Sequence, residues 1–433
     1  MYVTGRLPLL VALGAVPVVL LTTAGVAPWL ATLVWIVVCV AVAGTDAALA
    51  ADPRRLTITR TIPGRVALGR AVAAEMRVRN TGERTIRGLV RDAWQPTAGA
   101  DGTRHAVVIP PGESRVVRVP LLPRRRGELR SEYVIVRSAG PWGLAGRQGR
   151  IDSPGAIRVL PPFTARRHLP SRLARLRELD GSTSVQVRGQ GTEFDSLREY
   201  VRGDDVRSID WRATARSSTT MLRTWRPERD RHVVIIIDTG RTSAARVGDG
   251  VRLDAAMEAS LLLAALAQRA GDHVHLMMFD RVMRARVTRV DGPGLLPAMV
   301  DAMAPVEPQL IDTDWDAAFG AARSLTSRPN LIVVLTAQDA VDAARGFLGS
   351  LPALARRATV VIGTATDHPA STPPRASAED VYREAAYARS AHDAEIVAAA
   401  IARAGAEAIV DHPDALPPRI ADRYLALKAA GRL

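Results

Sequence analysis

Hydrophobic positions follow three successive patterns along this chain. Residues 7–26 and 27–45 are uncharged and almost wholly apolar, and Gly25 and Pro28 mark a turn between them. Each run approaches the roughly 20 residues that a helix needs to cross a hydrocarbon core, so the pattern predicts a transmembrane helical hairpin. After Arg55 the apolar runs become short and alternating, at 56–59, 74–79, 85–90, 106–109, 116–119, 133–136 and 157–160. Turn residues separate them, as in Asn80-Thr81-Gly82, Pro110-Pro111-Gly112 and Gly140-Pro141-Trp142-Gly143. Strands at this spacing predict a small β-sandwich-like module.

From His232 onward the pattern changes again. Unbroken apolar runs at 233–237, 274–279, 331–335, 359–362 and 408–410 alternate with helical stretches at 253–270, 315–325, 340–354, 380–404 and 416–429. That alternation predicts a mostly parallel sheet covered on both faces, with 282–290 as an antiparallel edge strand. The expected organisation is a hairpin over 1–55, a β module over 56–162, a charged bridge over 163–230 and a Rossmann-like α/β domain over 231–433. Within the bridge, 169–179 has helical spacing and 180–184 reads as a loop.

Charge gives the hairpin a direction. Arg6 precedes the first apolar run, and Arg54 and Arg55 follow the second. By the positive-inside rule both ends face the cytoplasm, which predicts a two-pass plasma-membrane protein with cytoplasmic soluble domains. Two long runs split by a turn favour this over a cleaved signal peptide. Asp46 and Asp52 are expected at or beyond the interface, where a carboxylate costs little. The formal charge of the 433-residue chain is +14, and Lys428 is the only lysine. Attraction to an anionic membrane surface accounts for such a surplus as well as nucleic acid does. No interleaving of aromatic and basic residues supports a nucleic-acid partner. Cys39 is the sole cysteine, which excludes an intramolecular disulfide and a thiolate metal cluster.

The densest chemistry lies between residues 191 and 243. Glu193, Asp195, Glu199, Asp204, Asp205 and Asp210 alternate with Arg198, Arg202, Arg207, Arg212 and Arg216 around Tyr200 and Trp211. Carboxylates so close to guanidinium groups form paired contacts that hold them ionised, which argues against general acid–base work. Two readings stay open for Arg198, Tyr200, Asp204, Arg207, Asp210, Trp211 and Arg216. They form a surface for docking a partner, or an ion-pair network locking the bridge onto the next domain.

The run 233–237 then ends at Asp238, followed by small and hydroxyl residues. This describes a buried strand feeding a loop at the carboxyl edge of the sheet, where open α/β sheets bind ligands. No GxGxxG, GxxxxGK[ST] or GxSxG pattern occurs, so the chain is not itself a P-loop ATPase, and Ser260 and Ser324 lack a partner base. His273 and His275 share a strand face, but no third metal ligand is evident beside them.

A strand, Asp238 and a hydroxyl-bearing loop resemble the start of a von Willebrand factor A domain. The preceding Arg198-Glu199-Tyr200, Gly203-Asp204-Asp205, Arg207, Ile209-Asp210-Trp211 and Ala215-Arg216 resemble bacterial membrane proteins of the domain of unknown function 58 (DUF58) family. That resemblance implies a transmembrane hairpin, a β-rich segment, a von Willebrand A-like fold and a MoxR-type AAA+ ATPase as partner. It also implies a divalent metal, Mg²⁺ or Mn²⁺, held by oxygen ligands from three loops. Asp238, Thr242 and Thr313 match positions of that set. Gly240 replaces a hydroxyl and Ala337 stands where a carboxylate is expected, with Asp339, Asp312 and Asp314 as substitutes and Arg241 as a competing charge. The expected function is a membrane-tethered cytoplasmic interaction or scaffold protein, working with such an ATPase in assembly or envelope-related processes. The alternative is a metal-dependent hydrolase using the Asp238 loop.

Overall fold

The computed structural model of the chain describes residues 1–102, 104–186, 193–202, 204–226, 231–248, 250–338, 340–367 and 377–433. The chain divides into two compact units, Met1–Leu160 and Pro161–Leu433.

The first unit begins with a short strand, β1 (Tyr2–Val3), before α1 (Arg6–Leu13), α2 (Ala15–Thr23) and α3 (Pro28–Leu49). Two segments, Arg6–Thr23 and Pro28–Arg55, are long and apolar enough to cross a membrane. The break between α1 and α2 falls at Gly14, where a Cβ would lie 2.0 Å from Trp35 Nε1. The Trp35 indole takes that space and donates to the Val11 carbonyl at 3.3 Å.

Among the described residues of this unit eight strands follow: β2 (Leu56–Thr61), β3 (Arg65–Ala67), β4 (Val72–Asn80), β5 (Ile86–Trp94), β6 (His105–Ile109), β7 (Ser114–Leu121), β8 (Gly127–Ala139) and β9 (Ala145–Leu160). One sheet runs β1-β9-β8-β5-β6 with β3 on β9, and the other runs β2-β4-β7. Alternate residues face a shared core in which Met76, Val78, Val119, Val90, Val136 and Ile157 are buried, the period-two burial expected of sheet packed on sheet. Inside that core Asp92 is 1% exposed and takes both guanidinium arms of Arg60, at 2.7 and 2.8 Å. Trp94 Nε1 and Ser131 Oγ also donate to it, so the buried charge is fully partnered.

For Asp46 the low cost has a source other than solvent. The residue is 0% exposed, not solvated at an interface. Its carboxylate accepts the amides of Trp142, Leu144 and Ala145 at 2.7–2.9 Å, so the cost of burial is met by three hydrogen bonds from the β8–β9 turn.

The second unit opens with α4 (Leu169–Gln186), which continues through residues 180–184 where a loop is expected. Next come β10 (Glu193–Glu199), the single-turn α5 (Trp211–Thr214) and β11 (Met221–Arg226), with β10 and β11 paired antiparallel. The core sheet uses β12 (His232–Asp238), and the small ribbon β13 (Arg246–Val247) and β14 (Gly250–Val251) precedes α6 (Arg252–Arg269). Then follow β15 (His273–Phe279), β16 (Met283–Val287), α7 (Leu295–Met303), α8 (Trp315–Leu325), β17 (Pro329–Leu335), α9 (Arg345–Ala355), β18 (Thr359–Ala365), α10 (Ala378–Arg403), β19 (Glu407–Asp411) and α11 (Leu416–Ala429).

Strand order in this sheet is β16-β15-β12-β17-β18-β19, parallel throughout except for the β16 edge. Alternate residues of β12 explain the layers. Val233, Ile235 and Ile237 pack against α6, α7 and α11, whereas Val234 and Ile236 pack against α8, α9 and α10. The strand is therefore apolar at every position, as a strand covered on both faces must be. Helix α7 falls in a stretch with no expected helix, and the helix expected from 340 starts at Arg345.

Candidate functional site

Parallel strands end together, so residues just past their carboxyl ends meet at one edge. Asp238 closes β12 and is 3% exposed. Thr313 Oγ1 donates to its Oδ1 at 2.5 Å, and Thr336 Oγ1 donates to its Oδ2 at 2.6 Å. The Gly240 amide reaches Oδ1 at 2.8 Å, Thr242 Oγ1 lies 3.4 Å from Oδ2, and Ser243 Oγ donates to the Asp238 carbonyl. Burial, the largest influence, raises the Asp238 pKa above the ordinary carboxylate value, and these donors only partly offset it.

The sequence-predicted trio Asp238, Thr242 and Thr313 thus comes together. Gly240 is more than a missing hydroxyl. A Cβ there would lie 2.4 Å from Thr313 Oγ1 and 2.9 Å from the Ile311 carbonyl, so the glycine is what lets Thr313 reach Asp238. Thr336, beside the buried Ala337, is the contact that pattern reading passed over; its signal was a hydroxyl residue directly after the apolar run 331–335.

The same edge holds a second carboxylate absent from the sequence reading. Asp280 follows β15, as Asp238 ends β12, and is 0% exposed. It accepts Thr239 Oγ1 at 3.0 Å, Arg284 Nε at 2.6 Å and the amides of Arg281 and Val282. Burial works to raise its pKa, but Arg284 and the amides outweigh burial and hold it below the ordinary value. An apolar run closed by aspartate was the available signal.

The residues fit a tightly held divalent cation poorly. Mg²⁺ and Mn²⁺ favour several hard oxygen ligands, and Asp238 is a single carboxylate whose two oxygens already accept from four groups. Asp312 instead pairs with Arg241 at 2.5 Å, both well exposed, and Asp314 caps α8 through the Ala317 amide. Asp339 lies outside the described residues. Among the described residues no three His, Cys, Asp or Glu side chains converge as a metal site. His273 and His275 stack with His232 at 5.2 Å and make contacts of their own, His275 Nε2 to His232 Nδ1 and His273 to Asp291.

The charged block forms its own substructure. Arg198 pairs with Asp204 at 2.6 Å, and Asp204 also accepts the Val201 amide. That pairing with Asp204 raises the Arg198 pKa. Asp205 accepts the Arg207 amide, and Asp210 caps α5 while pairing with Arg223 at 2.8 Å. The Ala213 amide and then Arg223 hold the Asp210 pKa low. The Tyr200 amide bonds Thr220 across the hairpin, and the Arg216 amide closes the turn on Ala213. Asp204, Asp205 and Asp210 are thus taken up by capping and pairing within the block. Trp211, by contrast, is 70% exposed, as are Val201 and Val206 at about 60% each. The Arg202, Arg207, Arg212 and Arg216 side chains are exposed.

Residues 196–377 match the model of a family described as protein of unknown function DUF58, and this match supports the DUF58 family. No curated protein matches the chain. Among solved structures, the chain is similar to a Salmonella alpha-2-macroglobulin mutant at 16% identity, over 24% of this chain and 7% of that one, with a TM-score of 0.21. It is similar to a beta-glucosidase from Listeria innocua at 14% identity, over 24% and 16%, with a TM-score of 0.18. A CARDB domain from Pyrococcus furiosus aligns at 17% identity, over 26% and 91%, with a TM-score of 0.19. The chain spans less than a fifth of the first two, and likeness at this level carries no argument about fold or function.

Proposed function

We propose that the chain is a membrane-tethered interaction protein, held by its N-terminal hairpin, whose second unit is a von Willebrand A-like (Rossmann-like) domain that docks a protein partner. The partner class is a MoxR-type AAA+ ATPase, and the setting is assembly or envelope-related work at the cytoplasmic face of the plasma membrane. Arg6, Arg54 and Arg55 around the two apolar segments support that orientation.

One observation carries the docking reading. Trp211 stands 70% exposed in a block where Asp204, Asp205 and Asp210 are taken up by caps and ion pairs of its own. An exposed indole among exposed arginines is the composition of a binding hot spot, where Trp and Arg dominate the energy. Asp204, Asp205 and Asp210, which could lock the block to a neighbour, are already engaged. The same composition favours docking over the alternative of an ion-pair lock.

The test is capture from native membranes with the full-length chain and with Trp211→Ala and Arg207→Glu variants. The proposal expects the wild type to retain an AAA+ ATPase and each variant to lose at least about tenfold, the effect of about 1.4 kcal/mol at a hot spot. Equal recovery from the variants would refute a partner seated on this block.

A further inference from the structure

The two ends of the helical hairpin are fastened to one place. Ahead of α1, Tyr2 and Val3 pair with Gly146 and Ala145 of β9, and Thr4 Oγ1 donates to the Gly143 carbonyl. At the end of α3, Asp46 takes the amides of Trp142, Leu144 and Ala145. A Cβ on Gly140 would lie 2.3 Å from the Asp46 carbonyl oxygen, so a glycine is required where the turn meets the helix. Only residues 50–55 separate α3 from β2. Where the apolar helices span a bilayer, the tip of the β8–β9 hairpin sits at headgroup depth.

Arginines gather at the helix ends. Arg147 donates to the carbonyls of Ala47 and Ala48, and Arg84 donates to that of Leu49, at the negative end of the α3 dipole. Arg6, Arg54 and Arg55 are exposed beside the helix ends. Of the nearby carboxylates Asp46 is sealed, Asp52 is turned to the Arg54 amide, and Glu83 is exposed next to Arg84, leaving the arginines in excess. Trp142, half exposed on the turn, is an amphipathic ring of the kind that settles at a membrane interface.

From this we infer that Arg6, Arg54, Arg55, Arg84 and Arg147, gathered at the ends of the helical hairpin beside the β8–β9 turn, bind the headgroups of anionic phospholipids. The inference rests on the membrane-spanning reading of the hairpin. Guanidinium groups match phosphate geometry, and basic residues at an anionic surface each add about fivefold to binding. The arrangement makes the β module part of the membrane contact, so the bilayer's charge acts on how firmly the whole unit is seated.

The experiment places the full-length chain in nanodiscs of phosphatidylcholine alone or mixed with phosphatidylglycerol, then counts the lipids retained by native mass spectrometry. Arg6, Arg54 and Arg55 are replaced together by Gln, because these side chains take no part in the Asp46 latch. The expected result is several-fold enrichment of retained phosphatidylglycerol over the bulk mixture, lost in the triple variant and weakened by salt. Both lipids carry a phosphate, so the comparison isolates net charge; displacement of the lipid by inorganic phosphate would overturn a lipid-specific site. Enrichment equal to the bulk mixture, or unchanged in the variant, would also overturn it while leaving the spanning hairpin intact. A chain that stays out of the nanodiscs overturns both readings.

Discussion

Thr313 donates its hydroxyl to Asp238 Oδ1 at 2.5 Å from a loop 75 residues further along the chain. The contact passes over Gly240, where a Cβ would come within 2.4 Å of the same hydroxyl. Gly240→Ala is therefore expected to destabilise the second unit by about 1–3 kcal/mol, the usual cost of overpacking. Thermal unfolding of the full chain checks this, and Thr313→Ala, which removes the γ atom that the new Cβ meets, should reduce the difference between Gly and Ala at position 240. Mg²⁺ and Mn²⁺ are expected to leave the midpoint of the wild type unchanged.

Asp238 has a raised pKa, caused first by burial. A carboxyl group whose folded pKa lies above its unfolded value of about 3.9 gives stability that is fully present below that value. This stability is lost as pH rises through the folded pKa. Asp238→Asn should flatten that loss, so that variant and wild type diverge as pH rises from the acid side. Denaturant unfolding across that range measures it.

His275 shows the opposite sign. It is buried, its Nδ1 lacks a hydrogen-bond partner, and burial followed by the neighbouring His232 and His273 lowers its pKa. Asp291 opposes that shift and Arg289 adds to it. Stability from this group is present above the unfolded value of about 6.5 and is lost as pH falls through the depressed folded value. Replacing His275 by Gln should remove that acid-side loss, read from unfolding midpoints between neutral and mildly acidic pH.

Asp92 tests the first unit. Its carboxylate, 1% exposed, holds Arg60 in a two-armed pair and receives Trp94 and Ser131. Asp92→Ala leaves a buried guanidinium uncompensated and should cost about 3–5 kcal/mol, whereas a surface pair such as Arg118–Glu75 should cost less than about 1 kcal/mol. Comparing denaturant midpoints of the two variants decides it.

The order of helices and strands was legible because burial on one or two faces leaves a period in the sequence. Residues 233–237 are apolar throughout since α6 and α8 cover both faces of β12, and β4 alternates since only one face is covered. Asp238, Thr242 and Thr313 were legible because each follows or precedes a recognisable element. Thr336 and Asp280 were equally placed at strand ends, yet a fixed pattern drew attention to Ala337 instead. The burial of Asp46 was not legible because its partners are backbone amides almost a hundred residues away, and amides leave no trace in side-chain pattern. In the charged block the alternation announced ion pairs but not their partners. Only the hairpin register shows Asp210 reaching Arg223 while Trp211 is left outside.

Photo-crosslinking from position 211 in native membranes tests the docking claim most directly. A photoreactive amino acid replaces Trp211 in the full-length chain, with a second chain labelled at exposed Leu310 as the control. One dominant adduct is expected from position 211, containing an AAA+ ATPase and missing from position 310. Adducts of the same pattern from both positions, or none from 211, would contradict it.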